Sequence, residues 1–264
     1  MTYQNHIRET IESGGAVFGV GATTLSPLMV EVYADLGYDY VWLDFEHIGP
    51  SAYDSGVFEG LVRTADAAGI DLLCRIPSGE PDLVRKVLDA GVRTILVPRL
   101  ETAEQVREAV AASRFAYDGG PGERGVAKAQ SSGWGARPTD YADREDGTVL
   151  CGIMLENQSM LDGIDEVLAV PDLGFCFIGP MDLSVSLGHP LDPSHPEVQE
   201  AQEQFRAACV DAGVPVGCIR NDPAAAAEAV EDGFQILRVG DEVGAARSVL
   251  GQRLNGIHER VESA

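Results

Sequence analysis

Eight short apolar, β-branched runs recur along the chain between amphipathic stretches, and this alternation restricts the fold more than any other feature. The runs are residues 16–24, 40–47, 71–77, 94–100, 149–157, 175–183, 215–221 and 234–242. Helical patterns separate them, such as DLVRKVLDAG (82–91), TAEQVREAVAAS (102–113), HPEVQEAQEQFRAACVDAG (195–213) and DPAAAAEAVEDG (222–233). Several of these open on Pro, Thr or Asp and close on Gly, as helix capping requires. Strands that are apolar almost throughout belong to parallel sheet covered on both faces. Eight such units in about 250 residues predict a closed (β/α)8 TIM barrel with its chemistry at the C-terminal strand ends. An open doubly wound sheet is the competing architecture. Its dinucleotide fingerprint is missing, because the first βα turn, GVGATTLSP, contains no G-x-G-x-x-G. We read residues 1–264 as one barrel domain, with a long Gly-rich connection at 114–148 and an extra amphipathic C-terminal helix at 243–261. A connection of that length is expected to shape a substrate site or an interface.

The formal net charge of −23 argues against nucleic acid or an anionic membrane as partner. The positive side consists of two lysines, Lys86 and Lys128, against seventeen arginines. Abundant acid with almost no lysine points to a surface adapted to high salt, where carboxylate repulsion is screened; stability that rises with salt is the test of this halophilic reading. The start of the chain lacks the basic and apolar pattern of a signal peptide, and no apolar run is long enough to span a membrane. Five scattered cysteines without CxxC spacing read as reduced core residues, so a cytoplasmic location is expected.

The chemistry concentrates where the strands end. In YDYVWLDFEH (38–47) a buried-strand pattern runs into Asp44, Glu46 and His47, and period-two alternation puts the two acids on one side. The third strand delivers Arg75, the fifth Glu156 and the sixth Asp182. Four carboxylates, an imidazole and a guanidinium are thus expected at the barrel mouth. Carboxylates from neighbouring strands that leave other positions open suit Mg2+ or Mn2+. A tetrahedral structural zinc is not expected there, because no His/Cys cluster accompanies these carboxylates. Each residue alone has a duller reading: Glu156 or Asp182 as a helix cap, Arg75 as an ion-pair partner, His47 as a hydrogen-bonded core residue. Asp89, in the last turn of a helix, reads by itself as a tolerated surface acid. Neither lysine falls on a strand end, which argues against a Schiff base and leaves a metal to stabilise any carbanion.

The segments DFEH (44–47), RIPSGEPDLVRKVLDAGVRTILVPRLETAEQVREAV (75–110), ERGVA (123–127) and FIGPMDLSVSLGHPLDPSHPEVQ (177–199) resemble the HpcH/HpaI class of metal-dependent pyruvate aldolases, within the aldolase/citrate lyase superfamily. The similarity runs from about residue 16 to 250. It implies a (β/α)8 barrel assembled as a hexamer, a trimer of dimers that exchange C-terminal helices. It implies reversible aldol cleavage of a 4-hydroxy-2-oxo acid, such as a 2-keto-3-deoxy sugar acid, to pyruvate and an aldehyde. By matching position, Glu156 and Asp182 would bind the divalent cation (Mg2+, Mn2+ or Co2+), His47 would be the base and Arg75 the transition-state stabiliser. Asp44 would orient the histidine, Asp89 would raise its basicity, and Glu46 would hold metal-bound water. Main-chain N–H groups around Met181 and Asp182 would hold the pyruvate carboxylate. Two positions depart from the pattern: Met154 stands where the family commonly has a substrate-binding glutamine, and Met181 where a small residue is usual.

Two other functions share these residues. A citrate lyase-like CoA-thioester lyase would need a basic cluster for the CoA phosphates, which this acidic chain lacks. A non-catalytic barrel that binds 2-oxo acids would have no need of His47 and Arg75. Arg99, Arg124 and Trp134 are candidates for the acceptor side. A sugar acid is preferred there, because a dicarboxylate would want a second clear anion site.

Overall fold

The computed structural model describes residues 4–116, 122–136 and 139–263. Eight parallel strands close into a barrel in sequence order, β1 (Val17–Ala22), β2 (Tyr40–Asp44), β3 (Asp71–Arg75), β4 (Thr94–Val97), β5 (Leu150–Leu155), β6 (Phe175–Ile178), β7 (Val216–Ile219) and β8 (Ile236–Asp241). Closure is made by β1 on β8, with Val17 opposite Ile236 and Phe18 opposite Leu237. The helices are α1 (His6–Glu12), α2 (Pro27–Asp35), α3 (Ser55–Ala68), α4 (Pro81–Asp89), α5 (Ala103–Ser113) and α6 (Tyr141–Thr148). They continue with α7 (Gln158–Asp162), α8 (Ile164–Leu168), α9 (Pro180–Ser186), α10 (Pro196–Ala212), α11 (Pro223–Glu231) and α12 (Glu242–Glu262). Every strand expected from the sequence is present. No described helix is long and apolar enough to cross a membrane.

Strand alternation divides the buried side chains into two clusters. Val41, Leu43, Cys74, Ile95, Ile153 and their neighbours face the helices. Tyr40, Trp42, Leu73, Leu96, Met154, Phe175, Phe177 and Ile236 fill the barrel. Trp42 packs against Phe177 with ring centroids 4.8 Å apart. Two bare backbones make room for the large interior rings: a Cβ on Gly19 would fall 2.2 Å from the Tyr40 ring, and one on Gly152 2.3 Å from Phe175. The N-terminal end is stoppered by α1, whose Ile7 and Ile11 join the interior cluster. Asn5 caps this helix by accepting from the Arg8 N–H, and its amide donates to Thr94 Oγ1 on β4. All five cysteines are buried and free, as their scatter led us to expect.

The connection at 114–148 does not reach the strand ends of its own barrel. It follows α5 and leads into β5, so it belongs to the αβ side of the barrel, remote from the strand ends that carry chemistry. Its described part contains a 3-10 turn at Gly133–Gly135 and α6, and it packs on the helices. Arg124 is buried with its guanidinium on the Phe115 ring (4.5 Å), within 3.3 Å of Asp89 and 3.5 Å of Glu145. It therefore tethers the connection to the end of α4 and does not line the mouth. Residues 117–121 and 137–138 of this segment lie outside the described residues.

Candidate active site

Two neighbouring strands end on a charged pair. Asp44 closes β2 and Arg75 closes β3, and the ladder sets them side by side. Arg75 donates from Nε to Asp44 Oδ1 (3.1 Å) and from Nη2 to Oδ2 (2.6 Å), a planar fork matched to a carboxylate. Its Nη1 lies 3.1 Å from Glu46 Oε2. Burial pushes the Asp44 carboxyl upward, but the Arg75 hydrogen bonds and charge outweigh this and hold it below its ordinary value. Burial likewise disfavours the Arg75 cation, and the bonds to Asp44 more than restore it.

The strand stops at Asp44, one pleat earlier than the sequence pattern implied, so Glu46 and His47 stand on a turn. Asp44 Oδ1 fixes that turn by accepting from the N–H groups of Glu46 (3.1 Å) and His47 (3.4 Å). Asp44 thus acts on His47 through the main chain and holds Arg75 directly. Glu46 is the hub, its side chain 6 % exposed, with Arg99 Nε at 3.2 Å and His47 Nε2 at 3.4 Å besides Arg75. The His47 side chain is 61 % exposed and borders an open groove with Phe45, Tyr53 and Ser78.

Across the mouth, Glu156 follows β5 and is buried. Its Oε1 accepts from the N–H of Arg99 (2.6 Å), a residue held at φ 58°, in the left-handed region that non-glycine residues seldom adopt. Just past the next strand, Gly179 leaves room for these side chains: a Cβ there would lie 2.9 Å from Glu156 Oε2 and 2.8 Å from Met154 Cε. Asp182 lies in the first turn of α9 and not at a strand end, because Pro180 at the first helical position stops β6 at Ile178. The Glu156 carboxyl is pushed up to about 7 by burial and by the negative charges of Asp182 and Glu46, against the Arg99 N–H bond and the Arg75 charge. Two facing carboxylates, one of them desolvated, make an all-oxygen donor pair whose repulsion a divalent cation relieves. These residues therefore fit such an ion.

A second group of possible ligands, His189, His195 and Glu197, is less suited to a cation than its proximity implies. The two imidazoles stack 3.5 Å apart at 15°, so their in-plane lone pairs run nearly parallel and do not converge. His195 Nδ1 is also engaged as the cap of α10, accepting from the Glu197 N–H.

Other expected residues are placed differently. Met154 is buried in the barrel interior beneath Glu156, where its thioether offers packing and no strong hydrogen bond. Met181 is exposed beside Asp182. Asp89 ends α4 at the opposite end of the barrel from the strand tips, held by Arg124, so one chain does not bring it to His47. Sequence reasoning passed over Arg238. It shares the inward phase of β8 with Ile236, and a charged residue in that phase was the available signal.

A closed (β/α)8 barrel that gathers ionisable side chains at the C-terminal strand ends has the architecture of a barrel enzyme. The chain belongs to the HpcH/HpaI aldolase/citrate lyase family, whose model matches residues 19–248. It is 34% identical over 250 residues to a 2-keto-3-deoxy-L-rhamnonate aldolase of Klebsiella pneumoniae, covering 95% of this chain and 92% of the relative. It is 32% identical over 246 residues to a hydroxypyruvate/pyruvate aldolase of Paraburkholderia phytofirmans, covering 92% and 93% respectively. The crystal structure of an HpcH/HpaI aldolase/citrate lyase family protein from Burkholderia cenocepacia superposes with a TM-score of 0.89 at 31% identity, over 97% of this chain and all of that one. The fold and the lyase family expected from the sequence are thereby both found.

Proposed function

We propose that the protein catalyses divalent-metal-dependent, reversible aldol cleavage of a 4-hydroxy-2-oxo acid, such as a 2-keto-3-deoxy sugar acid, to pyruvate and an aldehyde. One observation carries the reading: buried Glu156, its pKa raised to about 7, faces Asp182 across the mouth from the Arg75–Asp44 pair. Glu156 and Asp182 would hold Mg2+, Mn2+ or Co2+, which when bound supplies Lewis acidity at the 2-oxo group. The main-chain N–H groups of Met181 and Asp182, in the first turn of α9 where intrahelical partners are lacking, orient the substrate carboxylate. His47, exposed on its groove, takes the proton from the 4-hydroxyl. As the C3–C4 bond breaks, the aldehyde leaves and negative charge grows on the 2-oxo oxygen. Arg75, already fixed by its fork, stabilises that charge without reorganising. Glu46, tied to Arg75, Arg99 and His47, keeps the base side and the charge-stabilising side in register.

Replacing His47 by Ala is expected to lower kcat about 10²–10⁴-fold, the usual range for losing a general base, with divalent-cation binding retained. Pyruvate release from a set of 2-keto-3-deoxy sugar acids measures it. Near-normal cleavage by the variant would remove His47 from the mechanism.

The same proposal includes a homo-oligomer. No residue of α12 is buried, and Val243, Leu250, Leu254, Ile257 and Val261 form an exposed apolar stripe along it. A second exposed stripe, Leu28, Val32 and Leu36, lies along α2 and just past its end. Apolar stripes of this length mark interfaces, and a second copy of the chain supplies the complement. Leu254→Asp should therefore shift the mass in light scattering to a smaller species. An unchanged assembly would show that α12 does not build it.

A further inference from the structure

Arg99 puts an arginine side chain on a backbone that suits glycine. Its φ of 58° lies in the left-handed region, where a side chain costs energy and persists only when its surroundings hold it there. Glycine in this place would present the same main-chain N–H without that cost. The strain is accounted for when the side chain has work that glycine cannot do.

The contacts of Arg99 show that work. Its main-chain N–H donates to Glu156 Oε1 at 2.6 Å, just past β5. Its side chain runs back over the strand tips. There Nη2 donates to the Pro77 carbonyl at 2.9 Å, past β3, and Nε lies 3.2 Å from Glu46 Oε1, past β2. A single residue beyond β4 thus holds points that follow three other strands. Glu46 meets a different guanidinium on each oxygen, Arg99 on Oε1 and Arg75 on Oε2, and the His47 ring nitrogen lies 3.4 Å from that second oxygen. The Arg99 side chain is 69 % exposed and Glu46 is buried, so an arm lying on the surface pins a carboxylate beneath it. The backbone of Arg99 therefore serves the Glu156 side of the mouth, and its guanidinium serves the His47 side.

We propose that Arg99 is a positioning residue with two separable parts: its main-chain N–H holds Glu156 in place for the divalent cation, and its guanidinium holds Glu46, and through it His47, in place for proton transfer. It acts through these carboxylates and touches neither cation nor substrate. This deepens the aldolase reading and rests on it.

Two substitutions separate the parts. Arg99→Gly removes the guanidinium and keeps the backbone, because glycine adopts a positive φ freely. Arg99→Val also removes the guanidinium, and its β-branch drives the backbone out of the left-handed region. The readouts are Mn2+ affinity by electron paramagnetic resonance without substrate, and methyl-proton exchange of pyruvate in D2O with Mg2+. Arg99→Gly should lower the exchange rate at saturating pyruvate about 10–100-fold, the range for losing a group that orients a site residue, with Mn2+ affinity and the KM for pyruvate each within about threefold of wild type. Arg99→Lys, whose ammonium can still reach Glu46, should recover part of the rate. Arg99→Val should in addition bind Mn2+ about 10-fold or more weakly than Arg99→Gly. Both variants lack the guanidinium, so the difference between them reports the backbone. A glycine variant that exchanges at the wild-type rate would overturn the proposal, and that arm asks nothing of a strained backbone. So would a valine variant that binds Mn2+ as tightly as the glycine variant. A glycine variant whose loss lies wholly in KM would overturn it too, by making the guanidinium a substrate contact. Wild-type protein that binds no Mn2+ sinks the cation reading beneath, whereas Mn2+ binding together with any of those three results sinks only the Arg99 assignment.

Discussion

Replacing Arg75 by Met should cost about 3 kcal/mol of folding stability, because it strips Asp44 of its cation and leaves Glu46 only the exposed Arg99. Arg75 forks onto Asp44 and reaches Glu46, and all three side chains are no more than 12 % exposed. Removing one member of such a group exposes the desolvation penalty of the others, which is why the loss exceeds that of a surface pair. The same change should lower kcat about 10²–10³-fold, the range for deleting one preorganised donor to a developing oxyanion. The stability part is checked by urea unfolding at pH 7.5. Adding Asp44→Leu to Arg75→Met should recover part of the stability and none of the activity, because the second change removes the stranded charge. A single variant as stable as the wild-type protein would mean that the pair is solvated and that the fork is incidental.

Glu156→Gln should abolish metal-dependent turnover while stabilising the metal-free protein at pH 8. The sign follows from the raised carboxyl. Between about pH 4.5, the ordinary glutamate value, and about 7, the folded chain keeps a proton that the unfolded chain has released. The contribution of Glu156 to stability is therefore largest at low pH and is lost as pH rises through about 7. Gln is the uncharged isostere, so the variant keeps the packing and removes this decline. Cation and proton also compete for the carboxylate, so divalent-cation affinity in the wild-type protein should climb with pH through the same window. Thermal melts with and without Mn2+ from pH 5.5 to 8.5 measure both effects. A metal-free wild-type protein whose midpoint does not fall across that range would contradict the assigned environment of Glu156.

The sequence yielded the barrel because its strands are buried on both faces and so read as uninterrupted apolar runs, and all eight are found. Asp44, Arg75 and Glu156 were legible for the same reason, since a charge that ends such a run stands out. The finer placement was not legible. Alternation continued past Asp44 gave no hint that the strand stops there and that Asp44 would spend its bonds on the turn and on Arg75. From the sequence, Arg99 reads only as a candidate wall of the acceptor side. Its working part is a main-chain N–H aimed at Glu156 from an unusual φ, which side-chain chemistry cannot announce. Arg124 was misplaced because the length of its connection was weighed and its position after a helix was not. Arg238 shows the converse: it broke the apolar pattern of an inward phase, and that break marks a feature of the mouth.

The central claim is that Glu156 and Asp182 form a divalent-cation site that makes pyruvate acidic beside His47 and Arg75. The most direct measurement is NMR of pyruvate in D2O with the purified enzyme, following loss of the methyl proton signal. The account predicts exchange with added Mg2+ or Mn2+, its disappearance on chelation with EDTA, its return when the cation is restored, and no exchange in Glu156→Gln under any of these conditions. Exchange that persists in EDTA, or that survives Glu156→Gln, would contradict it.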